Sequence, residues 1–177
     1  IIAQKGGSAS VVSDDGRTPL HDAAGEGMTE VINFLLTCTG LDVNKRDING
    51  YTALHYASES GKVDAVSALL ATEGINVNIK DEEGKMPLHY SAGEGRVDVV
   101  RVLLDTKGID VNAKDKDGKT ALMYAVALDQ VETTKMLLAH KRIDTKIKDN
   151  DGMTAVNLAT KEEIIALFVK KSKNSRE

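Results

Sequence analysis

The stretch Gly16-Arg-Thr18-Pro-Leu-His21 decides the fold, because variants of it return every 34 residues along a chain of 177. The further copies read Thr52-Ala-Leu-His55, Met86-Pro-Leu-His89, Thr120-Ala-Leu-Met123 and Thr154-Ala-Val-Asn157. The glycine two residues ahead of each phrase keeps the same spacing, at Gly16, Gly50, Gly84, Gly118 and Gly152. A strict period of this length indicates a repeat architecture.

Each copy carries the local signals of a turn followed by a helix. Acidic or amide residues stand before the glycine, and this pairing favours a tight turn in which glycine takes a positive φ. Thr then suits a helix N-cap, and Pro19 and Pro87 fall at the first helical position, where a missing N–H costs nothing. In the first three units the helix is predicted to end at Gly27, Gly61 and Gly95, in the left-handed conformation common just past a helix.

A second helix is predicted in each unit from apolar residues at helical spacing. In the second unit these residues are Val63, Val66, Leu69 and Leu70. The equivalent sets are Ile32, Leu35 and Leu36, then Val97, Val100, Leu103 and Leu104, then Val131, Leu137 and Leu138. Because one helix pair cannot bury this face alone, neighbouring units are expected to stack into a solenoid with these residues in its core.

Two repeat families share this period. Tetratricopeptide repeats require Trp and a Leu-Gly pair in the first helix, and this chain has no Trp and no such pair. The Gly-x-Thr-Pro-Leu-His phrase, the Leu-Leu pair and the Val-Asn before the next turn resemble ankyrin repeats over nearly all of residues 1–168. The resemblance implies an all-α ankyrin-repeat solenoid of paired antiparallel helices with β-turn or hairpin tips.

The repeat is one residue longer than the family's usual length of about 33. Three residues rather than two separate Leu69-Leu70 from Gly74, and the same holds between Leu103-Leu104 and Gly108. We therefore predict that each outer helix is extended by one position. The extra residue is expected at the outer edge of the stack, where it leaves the tips unaltered.

The repeat register divides the chain into six segments. Residues 1–13 are interpreted as the remnant of a preceding repeat of a longer protein, because Ile1-Ile2 falls on Leu35-Leu36; a native start with a degenerate first unit is the alternative. Ankyrin-like repeats follow at residues 14–46, 47–80, 81–114 and 115–148. Residues 149–177 are a shortened capping repeat with a basic tail, predicted to present a wetted outer face.

Composition and charge narrow the classes of function. Hydrophobic residues at 41% and charged residues at 28% are typical of a globular protein and exclude a disordered chain. A formal charge of −4 gives no general attraction to nucleic acid or to an anionic membrane, so neither is expected as a partner. The lone Cys38 and the lack of a signal or transmembrane-length segment favour an intracellular location, in cytoplasm or nucleus.

Residues that could do chemistry are either isolated or explained by the repeat. The sequence contains no nucleophile elbow, phosphate loop or His-Glu-x-x-His motif, so neither an enzyme nor a cofactor or metal site is predicted. His21, His55 and His89 recur with the period, and the resemblance implies that they orient turn and helix by hydrogen bonds. Met123 and Asn157 replace them in the last two units, which predicts a weaker network there.

The resemblance also implies that partners bind to the turn tips and to exposed inner-helix residues along a concave groove. Carried over unit by unit, the predicted partner-binding residues are Asp14, Asp15, Arg17, Glu26, Ile48, Asn49, Tyr51, Glu59, Glu82, Glu83, Lys85, Glu94, Lys116, Lys119 and Leu128. Ile48 and Tyr51 are apolar or aromatic at tips where burial is not expected, which suits interface anchors. The acidic residues of the first three units favour a partner protein with a basic or mixed-charge segment, although solubility alone also accounts for them.

The sequence therefore predicts a monomeric, non-catalytic protein–protein interaction module. The alternative is a targeting or regulatory ankyrin segment of a larger enzyme or effector. Tyr56, Tyr90 and Tyr124, one period apart, are expected either to line the groove or to stack in the core. Asn44 is a candidate acceptor for an asparaginyl hydroxylase, because its spacing from Leu36 resembles such sites. The fourth and fifth repeats are expected to open first.

Overall fold

The computed structural model of the chain describes residues 12–174, with side chains to residue 172. Its helices, in chain order, are α1 Pro19–Glu26, α2 Thr29–Leu36, α3 Ala53–Glu59, α4 Val63–Leu70, α5 Pro87–Gly93, α6 Val97–Asp105, α7 Ala121–Ala127, α8 Val131–Ala139, a 3-10 helix Ala155–Leu158 and α9 Glu162–Asn174. Across residues 12–174 the β structure is limited to an isolated bridge between Lys148 and Thr154. The predicted remnant over residues 1–13 lies outside the described residues as far as residue 11.

The helices form two layers of a repeat stack. The inner helices α1, α3, α5 and α7 pack on one another in order, and α7 packs on the 3-10 helix. The outer helices α2, α4, α6 and α8 do the same, and α8 packs on α9. Inside each unit the inner and outer helices are also in contact. The predicted all-α solenoid of helix pairs is confirmed.

The predicted apolar face of the outer helices forms the core between the layers. Ile32, Val66, Val100 and Leu137 have no exposed surface. Leu36, Leu70, Val63 and Val131 pack half-buried at its edge. In α8 the same face includes Thr133 and Thr134, whose buried hydroxyls have no hydrogen-bond partner within the described part of the chain.

The tips of the second to fifth units are tight turns, each closed by an aspartate, and Ser13 takes the same position in the first tip. In the second unit the Asp47 N–H donates to the Tyr51 carbonyl at 2.9 Å, and one Asp47 carboxylate oxygen accepts from the N–H groups of Asn49 and Tyr51. Gly50 has φ 79°, as its position before the helix requires. Successive tips are joined through the backbone, since the Glu82 N–H donates to Asn49 O at 3.0 Å. The predicted hairpin-like tips are thus present and linked into one row.

Replacing Gly50 by Ala should lower the free energy of unfolding by about 1 to 2 kcal/mol more than replacing Gly74 by Ala. Both glycines share the same left-handed φ, 79° and 80°. A Cβ on Gly50 would come within 2.8 Å of Glu82 N and 2.9 Å of Asp81 Cα, whereas a Cβ on Gly74 would meet nothing within 4 Å. Urea unfolding of the two variants measures the difference. Equal losses of unfolding free energy in the two variants would show that the neighbouring tip moves to accommodate a Cβ on Gly50.

The periodic histidines connect each inner helix to the next tip. Nδ1 of His55 accepts from the Thr52 N–H at 3.1 Å and lies 2.9 Å from the Thr52 hydroxyl, while Nε2 lies 3.2 Å from Lys85 O. An acceptor role at Nδ1 and a carbonyl at Nε2 require the neutral tautomer with its proton on Nε2. His21 and His89 bond in the same way, so the predicted orienting role is confirmed.

The last two units depart from this pattern in different ways. At Met123 the ring is lost, and the Thr120 hydroxyl instead accepts from the Met123 N–H at 3.4 Å. At Asn157 the side-chain oxygen accepts from both the N–H and the hydroxyl of Thr154, at 2.9 and 2.7 Å. The predicted weakening is therefore confirmed at Met123, while Asn157 retains the local half of the histidine's bonds.

A row of asparagines that follows the outer helices also joins successive units, a structural role that was not predicted. Nδ2 of Asn44 donates to Gly74 O at 2.7 Å, and its Oδ1 accepts from the Asn76 N–H at 2.8 Å. Asn78 and Asn112 make equivalent pairs of bonds to the unit that follows each of them. Each of these amides therefore satisfies two backbone groups across a repeat boundary.

Three details of the repeat were not predicted from the sequence. The extra residue continues the helix only in α6 and α8, whereas α2 and α4 end one position earlier in the repeat, at Leu36 and Leu70. Asp129, with φ 58°, takes the left-handed position that glycine holds in the first three units. The predicted wetted face of the cap includes two apolar side chains of α9, Ile165 and Val169, which are 41% and 51% exposed.

Candidate protein-binding face

The inner face is the surface formed by the tips at residues 13–17, 47–51, 81–85, 115–119 and 149–153, together with the final residues of α1, α3, α5 and α7. Of the predicted partner-binding residues, nine are exposed: Asp14, Glu26, Ile48, Asn49, Glu82, Glu83, Glu94, Lys116 and Leu128. Six are half-buried: Asp15, Arg17, Tyr51, Glu59, Lys85 and Lys119. All of them therefore retain some surface, and Ile48 and Leu128 are large apolar side chains at 66% and 53% exposure.

Tyr51 differs from its prediction. Its ring stacks on His55 at 5.4 Å between centroids and meets Tyr90 edge-on at 5.1 Å. Burial raises the pKa of the Tyr51 hydroxyl. Tyr51 is thus a packing residue between two units as well as a surface residue, and the expectation of an unburied tip side chain is wrong because neighbouring rings cover one side of it.

The other three tyrosines are fixed by buried aspartates. The hydroxyls of Tyr56 and Tyr124 donate to Asp47 and Asp115, each at 2.7 Å, and Tyr90 makes the same bond to Asp81. Burial first, and then the adjacent carboxylate, raise the pKa of all three hydroxyls. The rings are half-buried. Tyr56, Tyr90 and Tyr124 were predicted either to line the groove or to stack in the core, and neither placement describes them fully. Their hydroxyls bond to buried aspartates, while their half-buried rings contribute to the surface.

Two grooves cross the inner face. The tip groove, about 260 Å³, lies between the second and third tips and is lined by Asn49, Tyr51, Asp81, Glu82, Glu83 and Tyr90. The helix groove, about 200 Å³, lies at the ends of α3, α5 and α7 and is lined by Glu59, Lys85, His89, Tyr90, Gly93, Glu94, Tyr124 and Leu128. Tyr90 belongs to both, so the grooves adjoin. Eight of the predicted partner-binding residues line one of the two grooves. Ile48 lies next to the tip groove, because it directly precedes Asn49, which lines it.

The charges on the inner face are unevenly neutralised. Arg46 pairs with Glu82 at 2.8 Å, and Arg17 pairs with Asp22. The Lys85 ammonium lies 5.0 Å from the centre of the Tyr124 ring. Burial, and then the nearby Glu94 carboxylate, raise the pKa of Glu59. The helix groove thus holds two neighbouring carboxylates, of which Glu94 has an ion pair with Arg96 at 3.9 Å.

Family models describe this architecture. A model of ankyrin repeats, three copies long, matches residues 1–81, 40–115, 64–149 and 104–177, which together cover the chain. The chain belongs to the ankyrin repeat family. A search of curated proteins found no match. Ankyrin repeats are generally protein–protein interaction modules, and proteins built from them are typically not enzymes.

The ankyrin array offers few other sites in the part of the chain that the structure describes. No group of three or more His, Cys, Asp or Glu residues is arranged there to hold a metal ion. Among the same residues, no helix is both long and apolar enough to cross a membrane. Cys38 lies half-buried against the core.

The side chain of Asn44, the candidate hydroxylation site, is held in place by hydrogen bonds. Its side chain is half-buried, and both ends of its amide bond to the backbone of the next unit. A hydroxylase that needs the side chain in its own active site would have to release these bonds first. Hydroxylation of Asn44 stays a prediction, and an intact mass unchanged after enzyme treatment would contradict it.

Proposed function

We propose that this ankyrin array is a non-catalytic module that binds a partner protein through its inner face. The observation that carries the proposal is Ile48, an aliphatic side chain 66% exposed at a tip beside the tip groove. Exposed apolar residues next to a concave, partly polar surface are common at protein interfaces. Family membership supports the same role.

The charge of the inner face favours a partner with a basic or mixed-charge segment. Glu82, Glu83 and Glu94 are exposed side chains of the third unit, and they line the two grooves. Lys116 and Lys119 follow on the fourth tip, so the sign changes along the face. Complementary charges would set the orientation of a bound segment and speed its association more than they raise its affinity.

Three histidines and three aspartates beside the inner face have structural roles, which supports the absence of catalysis from the proposal. Both ring nitrogens of His21, His55 and His89 are occupied by backbone or threonine partners. The carboxylates of Asp47, Asp81 and Asp115 accept from tip N–H groups and from a tyrosine. These groups are therefore committed to holding the repeats together.

Replacing Ile48 by Ala should weaken partner binding by about 1 to 3 kcal/mol, because it removes an exposed anchor and leaves the fold intact. Ile48 is a cleaner probe than Tyr51, whose removal would also disturb the packing of His55 and Tyr90. The matched control is Phe34→Ala, which removes a side chain of similar exposure, 62%, from the outer helix α2.

The measurement is affinity capture from cell extract on the parent chain and both variants, followed by titration of the recovered protein. We expect one protein to be retained by the parent and by Phe34→Ala and to be depleted by Ile48→Ala. Circular dichroism of each variant checks that it is folded. Equal recovery on all three chains would place the site on the outer helices or the tail and contradict the proposal.

A further inference from the structure

The helix groove has an acidic end formed by Glu59 and Glu94, near which lie the charges of Arg96 and Lys85. The Arg96 guanidinium reaches Glu94 only at 3.9 Å, and its Nε donates to the main-chain oxygen of Glu59 rather than to the carboxylate. Within residues 12–172 no cationic nitrogen lies within 4 Å of the Glu59 carboxylate. Two neighbouring carboxylates, one of them half-buried, would gain from a cation supplied by a partner.

The opposite end of the helix groove is apolar. Leu128 is 53% exposed there, beside the ring of Tyr124. The hydroxyls of Tyr90 and Tyr124 bond to Asp81 and Asp115, so the rings present carbon to the groove. Lys85 already lies over both rings, 5.6 and 5.0 Å from their centres, and would repel a second cation from them. An incoming cation is therefore directed to the acidic end.

Gly93 keeps the floor of the groove open. It is the last residue of α5 and its φ is not in the left-handed region, so its backbone does not require glycine. Ala is the better helix former, and Ala127 occupies the equivalent position in the fourth unit. A Cβ on Gly93 would stand 3.2 Å from Leu128 Cδ1, within the groove. The missing Cβ at Gly93 therefore leaves room for the Leu128 side chain and keeps this part of the groove open.

We propose that the helix groove binds a two-residue element of the partner protein, with a Lys or Arg side chain against Glu59 and Glu94 and a neighbouring aliphatic side chain against Leu128. This inference rests on the proposed function and names the chemistry of the segment that the inner face receives. A groove of about 200 Å³ fits one or two side chains and is small for a drug-sized molecule.

The test uses random decapeptides displayed on phage, selected on the full 177-residue chain, and then synthesised and titrated by fluorescence anisotropy. We expect the selected peptides to share a Lys or Arg next to Leu, Ile or Met. Gly93→Ala should weaken their binding about tenfold or more, because the added methyl group fills the floor of the groove. Glu59→Gln with Glu94→Gln should weaken binding to a similar extent and remove the preference for a cation.

Gly25→Ala is the matched control. Gly25 is the equivalent of Gly93 in the first unit, and a Cβ there would make only ordinary contact, 3.7 Å from Tyr56 Cβ. We expect its affinity to stay within about twofold of the parent, since the change lies outside the groove. Gly93→Ala should not lower the urea midpoint, because Ala favours the helix and Leu128 is free to move, so unfolding cannot explain a loss of binding.

The outcomes separate this inference from the proposed function. Selected peptides without a cation, or an affinity unchanged by Gly93→Ala and lost on Ile48→Ala, would overturn the helix-groove assignment while the inner face stands. Peptides that bind equally to Gly93→Ala and to Ile48→Ala would contradict both. A selection that returns no binding peptide would also count against the helix groove as a peptide site.

Discussion

Replacing Thr134 by Val should raise the free energy of unfolding by about 1 to 2 kcal/mol. Thr134 is fully buried, and its hydroxyl has no hydrogen-bond partner within the described residues. The equivalent positions in the first three units hold Ile32, Val66 and Val100, which are also fully buried. Val has the shape of Thr and replaces the unpaired hydroxyl with a methyl group, so the substitution removes a desolvation cost without opening a cavity.

Thr133 has the same defect one residue earlier. It is 1% exposed and unpaired, and Ala65 and Val99 hold its position in the second and third units. The double variant Thr133→Val with Thr134→Val should gain about 2 to 4 kcal/mol if the two sites act independently. Adjacent residues share neighbours, so the gain of the double variant is expected to be smaller than the sum of the two single gains and to fall at the lower end of this range.

Urea unfolding followed by circular dichroism measures the gain. Thr106→Val is the control, because the Thr106 hydroxyl donates to Val102 O at 2.9 Å and its removal deletes a bond that is made. That variant should be neutral or less stable than the parent. A Thr134→Val variant no more stable than the parent would mean that the hydroxyl finds a partner in solution, such as a bound water.

The defects of α8 also give a reason for the expected early opening of the fourth repeat. The unit combines two unpaired buried hydroxyls with Met123 in place of a histidine and Asp129 in a left-handed conformation. Hydrogen exchange in α8 should therefore be faster than in α4 and α6 and should slow in the double variant. Uniform protection across the three helices would contradict the prediction.

Acidification from pH 6.5 to pH 4 should remove several kcal/mol of stability. Burial lowers the pKa of His55 from 6.5 to about 4 and also lowers the pKa of His21 and His89. Below pH 6.5 the histidines of the unfolded chain bind protons, whereas the buried histidines of the folded chain stay neutral. The free energy of unfolding is therefore highest above pH 6.5 and falls as the pH drops toward 4. For His55 alone the difference corresponds to about 3 kcal/mol.

The geometry of the ring explains why protonation is unfavourable. A proton on Nδ1 of His55 would point at the Thr52 N–H, which now donates to that nitrogen. In His55→Asn the side-chain oxygen can accept from Thr52 as Asn157 does from Thr154, but it does not titrate. We expect this variant to lose stability at pH 7.5, because the bond to Lys85 O is broken, and to show a shallower decline between pH 6.5 and 4.

Urea unfolding at several pH values tests this expectation. His140→Asn serves as the control: burial lowers the pKa of His140 as well, but this residue is only half-buried and lies at the end of α8, away from the tips. Its decline with pH should stay close to that of the parent. The same decline in His55→Asn as in the parent would show that the buried histidine is not the group that links folding to protons.

Much of the fold could be predicted from the sequence because the information is local and repeated. Thr52-Ala-Leu-His55 specifies a cap and a helix start from its own residues, and five copies at one period leave little doubt about how the units stack. The outer-helix face needed only the spacing of Val66 and Leu69 to be assigned to the core. Each of these signals acts within one unit or between identical neighbours.

The candidate site was predictable only as a set of positions. The repeat register placed Ile48 and Leu128 on the surface, and the structure agrees. It could not anticipate that Tyr51 would be covered by His55 and Tyr90, since that packing depends on which side chains meet across a unit boundary. The grooves arise in the same way, because their walls come from residues of two or three units.

The sequence by itself determined the class of fold, the helix-capping residues and the structural role of the histidines, because each follows from short-range geometry repeated along the chain. Tertiary structure alone decided how much of each side chain remains exposed, which carboxylates remain uncompensated, and that Thr133 and Thr134 lie buried without partners. Exposure and pairing depend on contacts between units, and a linear pattern does not specify which atoms meet there.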